Sequence, residues 1–217
     1  MDHPHGASPH QGEGTEQAGP VQASLAETAT GPLHGLARQL ASLLLWLLLA
    51  LLLRWLVVEP RWIPSGSMLP TLQLQDRILV EKIRPRLGTS IPPGTVVVFH
   101  APTVLVEAGY DPAAALIKRV VAGPGDRVEV RGGQLLRNGE AVEPDWSGQS
   151  MDYHFGPVVV PPGHLLVLGD NRNASLDSHV WGPLPRREVI GTAIWRYWPL
   201  QRFGPIRFSP TAAAGEA

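Results

Sequence analysis

Eighteen consecutive residues, Ala41 to Val58 (ASLLLWLLLALLLRWLVV), contain two polar side chains, Ser42 and Arg54. At about 1.5 Å rise per residue such a run makes a helix of roughly 27 Å, close to one hydrocarbon thickness of a bilayer. A helix buried in a soluble core would show a polar face, and this one has none. A cleaved secretory leader fits poorly as well, because the run starts late, is long, and is followed by no A-x-A site. The segment 37–59 therefore reads as a transmembrane anchor. Arg54 lies near its end, where a long stem can snorkel to the interface beside Trp55. Arg38 precedes the run while Arg54 and Arg61 follow it, so the positive-inside rule supports neither orientation.

The segments flanking this anchor differ sharply. Residues 1–36 have no apolar period and are rich in Gly, Pro, Ala and polar residues. They cannot bury enough surface to offset their ordering entropy, and read as a disordered tail. His3, His5 and His10 are too sparse there to hold a metal, and no metal or other cofactor is expected. From 60 to 208 short apolar runs alternate with Gly and Pro, which number 23 and 22 in the whole 217-residue chain. RILVEKI, TVVVFH, IKRVVA, DRVEVRGGQLLRNGEAV, GPVVVPPGHLLVLGD and IGTAIWRYWP have the length and composition of strands. Gly132-Gly133 and Asn138-Gly139 mark two hairpin turns. The expected class is all-β, mainly antiparallel, with sheets that curl or close barrel-like to cover their edges, behind one N-terminal transmembrane helix. Residues 209–217 read as a flexible C-terminal tail.

Composition excludes several chemistries. With 44% hydrophobic and 17% charged residues the chain is not wholly disordered. A formal net charge of −1 does not suit an electrostatic nucleic-acid binder, so no nucleic-acid partner is expected. The absence of cysteine removes disulfides, thiolate nucleophiles and iron–sulfur sites. Among the 18 basic residues two, Lys82 and Lys118, are lysine and the rest are arginine. Arginine stays protonated at any working pH, whereas a buried lysine amine can be neutral. The two lysines are therefore candidates for work that arginine cannot do.

Three segments carry candidate chemistry. In PSGSMLPT, Pro64 to Thr71, two serines flank a glycine in a stretch that must hold a fixed turn. Read alone it is a plain linking loop. Read functionally, Ser67 is a nucleophile, and its own N–H and the Ser65 hydroxyl face the point where an oxyanion would form. No G-x-S-x-G elbow is present, and His100, His154, His164 and His179 sit singly on strand ends or loops. Lys118, in LIKRVVAGPGD, is the better base. Strand alternation puts it on the face of Val120, with Ile117 and Arg119 on the other. On an apolar face its amine loses hydration and its pKa falls. The third segment, LGDNRNASLDSHVWGP from Leu168 to Pro183, is a tight polar loop. Ser175 there can fix the lysine amine, while Asp170 and Asp177 can pair with Arg172 or hold loop backbone.

Together these segments closely resemble the type I signal peptidases, membrane-anchored serine–lysine endopeptidases that remove signal peptides from exported proteins. The matching blocks are IPSGSMLPTL at Ile63 to Leu72, DRILVEK at Asp76 to Lys82, PGTVVVF at Pro93 to Phe99, IKRVVAGPGD at Ile117 to Asp126 and GDNRNASLDSHVWGPLP at Gly169 to Pro185. The resemblance implies Ser67 as nucleophile, Lys118 as general base, Ser65 completing the oxyanion hole, Ser175 orienting the amine, and Asp177 with Asp170 and Arg172 supporting the loop. It also implies that substrate binds as an extended strand with small residues in an Ala-x-Ala pattern, in shallow pockets walled by Ile63, Pro64, Met68, Leu72 and Ile117. The implied partners are exported preproteins and the lipid bilayer; oligomeric state stays open. The implied place is a bacterial plasma (inner) membrane, crossed once, with the catalytic domain outside the cytoplasm. Asn173, Ala174 and His179 depart from the commoner GDNRDNS and post-Asp-Ser arginine pattern. Two other readings were weighed. Self-cleaving repressor-type proteases share the chemistry but are soluble and carry a DNA-binding segment. A membrane-tethered β module that binds extended peptides without cutting them would explain the anchor and strands, but not the serines and lysine.

Overall fold

The computed structural model describes residues 32–142 and 149–206. Residues 1–31 of the expected N-terminal tail, with His3, His5 and His10, lie outside the described residues, as does the expected C-terminal tail at 209–217. The chain divides into two units, residues 1–47 and 48–217. What is described of the first is helical. Helix α1 runs over Pro32–Leu56 and so continues into the second. It is the one described helix long and apolar enough to cross a bilayer, and no part of its Gly35–Arg54 window is buried by protein. Leu43, Leu45 and Trp46 are each about two-thirds exposed. An uncovered helix that is apolar on every side is stable in hydrocarbon, not in water.

The second unit is mostly strand. In chain order the elements are β1 (Val58–Trp62), β2 (Arg77–Glu81), α2 (Ile83–Arg86), β3 (Val96–His100), α3 (Thr103–Glu107) and β4 (Ala115–Ala122). Then come β5 (Arg127–Arg131), β6 (Gln134–Arg137), β7 (Glu140–Ala141), β8 (Phe155–Val159), β9 (His164–Leu168), α4 (Ser178–Trp181), β10 (Leu184–Pro185), β11 (Val189–Trp198) and β12 (Gly204–Pro205). The helices after α1 are single turns. All described strand pairs are antiparallel, so the expected class stands.

The larger sheet has the order β1-β2-β11-β3-β4-β9-β10, with β12 beside β11. Its central strand β3, VVVFH, is buried on both faces, which is why it reads as a continuous apolar run without alternation. Val96 and Val98 pack with Ile63, Met68, Leu72, Ile78 and Ile117 on one side, and Val97 and Phe99 with Val120, Val167 and Trp181 on the other. The smaller sheet, β7-β6-β5-β8, is half-buried and alternates: Val128 and Val130 point in while Arg127 and Arg131 point out. Its inner face packs on Val121, Ala122, Leu166 and Leu168 of β4 and β9. Both hairpin turns form as expected, with positive φ at Gly132 and Gly133 (60° and 79°) and at Asn138 and Asn138's neighbour Gly139 (55° and 89°).

One element was hidden in the sequence. Val58 and Glu59 read as the end of the anchor, but the helix stops at Leu56 and these residues open the edge strand β1. Pro60 is tolerated there because an edge strand has one side free of ladder bonds.

The crossing of β11 over β2 depends on Gly191. A Cβ at this position would lie 2.4 Å from the Glu81 carbonyl oxygen and 2.6 Å from Val80 Cγ1. Gly191→Ala must part β2 from β11, and a loss of about 1–3 kcal/mol in urea unfolding of the detergent-solubilised protein is expected.

Candidate active site

The loop that carries Ser67 is clamped at both ends by backbone. Ile63 N–H donates to the Asp76 carbonyl and Gln75 N–H to the Ile63 carbonyl, both at 2.8 Å. Asp76, fully buried, accepts Gln73 N–H at 2.9 Å and is held by Arg202, with Arg196 at 3.7 Å. Arg196 also donates to the Thr71 carbonyl at 2.9 Å. Met68 and Leu72 then plug this loop into the core shared with Ile63 and Ile117. A serine in a Pro/Gly-rich loop is thus fixed from below by two apolar side chains and from the side by buried charge.

β4 brings the lysine. Pairing of Val97 with Lys118 and of Arg119 with Leu168 sets its register in mid-sheet. Lys118 is 4% exposed, and its Nζ donates to Ser67 Oγ at 2.8 Å. Burial, opposed by the charges of Asp177 and Asp170, lowers its pKa to about 8 from an ordinary 10.5. Ser65 Oγ stands 3.3 Å from Ser67 Oγ. The four histidines weighed as bases stand elsewhere. His100 and His154 are exposed, His164 Nδ1 lies 2.9 Å from the Pro162 carbonyl, and His179 Nδ1 lies 2.7 Å from Asp177.

The loop after β9 closes the site from the far side. Asn171 N–H donates to the Ser67 carbonyl at 3.1 Å and its side-chain amide to the Gly66 carbonyl at 3.2 Å. Asp177 caps α4, accepting His179 N–H at 3.2 Å and Gly169 N–H at 2.8 Å. The loop carboxylates divide their work differently from the reading based on Arg172. Asp170 is gripped by Arg119, Nε at 2.8 Å and Nη2 at 2.6 Å, and accepts the Thr71 hydroxyl at 2.6 Å. Removing one member of such a buried pair typically costs about 3–5 kcal/mol. Arg172 is fully buried, but its single-turn 3₁₀ segment directs Nη1 to Met151 Sδ at 3.9 Å, and its Nε and Nη2 find no hydrogen-bond partner. Ser175 comes to the cluster without the hydrogen bond to Lys118 expected of it. Its Oγ is buried and unpartnered, packed against Gly169.

The sequence departures have local roles. Asn173 accepts Asp152 N–H at 3.1 Å and donates to the Ser150 carbonyl at 2.9 Å, tying the loop to 150–152. His179 stacks on Tyr153 with ring centroids 4.1 Å apart. Burial and the nearby Asp177 push the Tyr153 hydroxyl up to about 12. Of the expected pocket residues, Pro64 is exposed, whereas Ile63, Met68, Leu72 and Ile117 are buried. Sequence reasoning missed Asn171, Thr71, Arg119, Gly169 and Tyr153. Asn171 and Gly169 lie inside a matched block, and Arg119 is a charge in an apolar strand, which was the available signal. No group of residues suited to a metal occurs among the described residues.

This pairing of a loop serine with a buried strand lysine, on a β fold behind one apolar helix, has known counterparts. The family model described as signal peptidase, peptidase S26, matches residues 36–198. A probable signal peptidase I-1 of Synechocystis sp. is 47% identical over 166 residues, covering 76% of this chain and 83% of that protein. A signal peptidase I of Leptolyngbya laminosa is 46% identical over 75% of this chain and 80% of its own length. A probable thylakoidal processing peptidase 2 of Arabidopsis thaliana is 45% identical over 72% of this chain and 42% of its own. The chain belongs to the signal peptidase family, peptidase S26, and with α1 it is a membrane-anchored member.

Gly169 offers a direct test of the loop's role. A Cβ there would meet Ser175 Oγ at 2.2 Å and the Ser67 carbonyl oxygen at 2.5 Å. Gly169→Ala must displace the Ser67 loop by a fraction of an ångström or more. A fall of about 10²-fold in precursor cleavage is expected, with the far-ultraviolet circular dichroism spectrum unchanged.

Proposed function

We propose that this protein removes signal peptides from exported preproteins, as a serine endopeptidase whose catalytic pair is Ser67 and Lys118. The observation that carries the reading is the 2.8 Å contact between Lys118 Nζ and Ser67 Oγ at a buried amine. The peptidase names of its relatives favour cleavage over the peptide-holding module.

The chemistry follows from the contacts. The neutral Lys118 amine takes the Ser67 proton as Oγ attacks the scissile carbonyl carbon. The oxyanion that forms is met by Ser67 N–H and the Ser65 hydroxyl. Collapse breaks the peptide C–N bond, and the proton on Lys118 passes to the departing amine, which becomes the new N-terminus of the mature protein. Water then gives its proton to Lys118 while its oxygen attacks the ester, releasing the signal peptide as a carboxylic acid and restoring Ser67. Ser175 packs on Gly169 of the neighbouring loop, and Asp170, Arg172 and Asp177 hold that loop. Ile63, Pro64 and Ile117 line shallow subsites, with Met68 and Leu72 behind them, so that small side chains of an Ala-x-Ala segment fit and larger ones do not. The anchor at 37–59 keeps the 60–208 peptidase domain at the membrane surface where signal peptides emerge. The setting proposed is a bacterial plasma membrane crossed once, with the peptidase domain on the extracytoplasmic side.

Mass spectrometry of a precursor incubated with detergent-solubilised wild type and with Lys118→Arg tests the pair. Arginine keeps the charge but cannot act as a base. Cleavage after Ala-x-Ala by wild type, with a loss of about 10²–10⁴-fold in the variant, is expected. Equal cleavage by both would sink the lysine mechanism.

The pH profile has a definite sign. Below about 8 the Lys118 amine is protonated and cannot accept the serine proton; above it the amine is free. kcat/KM should therefore rise with pH up to about 8 and then level. A flat profile from pH 6 to 9 would overturn the assignment.

A further inference from the structure

Lys82, the other lysine of the chain, is also nearly buried, 8% exposed, at the end of β2. It lines a cavity of about 480 Å³ with Leu51, Arg54, Glu59 and Pro60. This cavity lies where the apolar window of α1 ends at Arg54. Polypeptide at that point meets the headgroup layer of a bilayer.

The charges around it are unequal. Glu59 is satisfied on both oxygens, by Arg61 Nη2 at 2.5 Å and by Lys82 Nζ at 3.2 Å. Glu81 beside it is equally committed, to the backbone N–H groups of Ile83 and Arg84 and to the Thr192 hydroxyl. Arg86 donates to the Leu56 carbonyl at 2.7 Å, where α1 ends. Arg54 has no hydrogen bond or ion pair among the described contacts, and Lys82 keeps donors that Glu59 does not use. Two cations, Arg54 and Lys82, thus line the cavity beside one carboxylate, Glu59, whose oxygens are both occupied. Leu51 and Pro60 supply an apolar wall beside the unspent donors.

We infer that this cavity binds the phosphodiester headgroup of an anionic phospholipid from the leaflet in which α1 ends. Arg54 and Lys82 hold the phosphate oxygens through charge-assisted hydrogen bonds, and Leu51 and Pro60 flank the glycerol. The lipid joins the end of the anchor to β1 and β2, the strands that flank the Ser67 loop. The inference does not depend on the peptidase reading, because binding can be measured without substrate.

The test uses the full chain in a neutral detergent, titrated with dioleoylphosphatidylglycerol, dioleoylphosphatidylcholine or inorganic phosphate, with retained ligand counted by native mass spectrometry. One phosphatidylglycerol per chain is expected, with phosphatidylcholine retained several-fold less and inorganic phosphate not at all. Arg54→Gln changes an exposed position and should weaken phosphatidylglycerol binding about tenfold. Arg131→Gln, on the smaller sheet, should leave it unchanged. Equal retention of the two lipids, or equal binding by wild type and Arg54→Gln, would overturn the inference. Inorganic phosphate bound as tightly as phosphatidylglycerol would reduce the site to a simple anion site and overturn its assignment to a lipid.

Discussion

A lysine amine taken almost wholly out of water at the centre of the site has its pKa lowered to about 8, and the surrounding fold sets how far that shift goes. Burial drives the Lys118 pKa down, while Asp177 and Asp170 pull it back up. A carboxylate in direct contact with the amine would hold it protonated and abolish it as a base. Both acids are instead occupied. Asp170 gives one oxygen to Arg119 and shares the other between Arg119 and Thr71, and Asp177 serves Gly169, His179 and the start of α4. The amine is left with Ser67 as its hydrogen-bond acceptor. Commitment of the carboxylates elsewhere therefore limits how far they offset the effect of burial on the amine.

Three consecutive residues of β4 share this arrangement. Ile117 packs into the core beneath the Ser67 loop, Lys118 reaches the serine, and Arg119 grips Asp170 of the loop that follows β9. The Ser67 loop meets all three, through Met68 and Leu72 on Ile117, Ser67 on Lys118 and Thr71 beside Arg119. The same strand pairs with β3 and β9, so neither the base nor the clamp can shift without breaking ladder hydrogen bonds. Precise placement here comes from sheet register, with loops fastened to it by buried charge. Asn171 then stitches the two loops to each other through the Gly66 and Ser67 carbonyls.

What could be read beforehand follows the same division. Strands whose burial demanded an apolar run, such as VVVFH, were legible, and so were turns that need positive φ, at Gly132-Gly133 and Asn138-Gly139. Ser67 and Lys118, which the fold brings to 2.8 Å, each stood out by residue type, a serine in a rigid loop and a lysine in a chain of arginines. β1 was not, because Val58 and Glu59 continue the texture of the anchor, and what makes them a strand is the distant β2. The partner of Asp170 was not legible for a similar reason. Arg172 is two residues away and Arg119 is 51, and the choice between them is made by the fold. Ser175 falls between these cases: the resemblance put it in the right cluster, while the hydrogen bond to Lys118 is not formed.

His179 shows how a local departure can leave the essential arrangement intact. The backbone N–H and the Nδ1 of this residue both meet Asp177. The ring is also flat enough to stack on Tyr153, which the tether from Asn173 to Ser150 and Asp152 keeps close. Ring stacking and hydrogen bonding thus both hold His179 against Asp177. Asp177 in turn keeps Gly169 N–H and the turn into α4 in place, and through them the loop that faces Ser67.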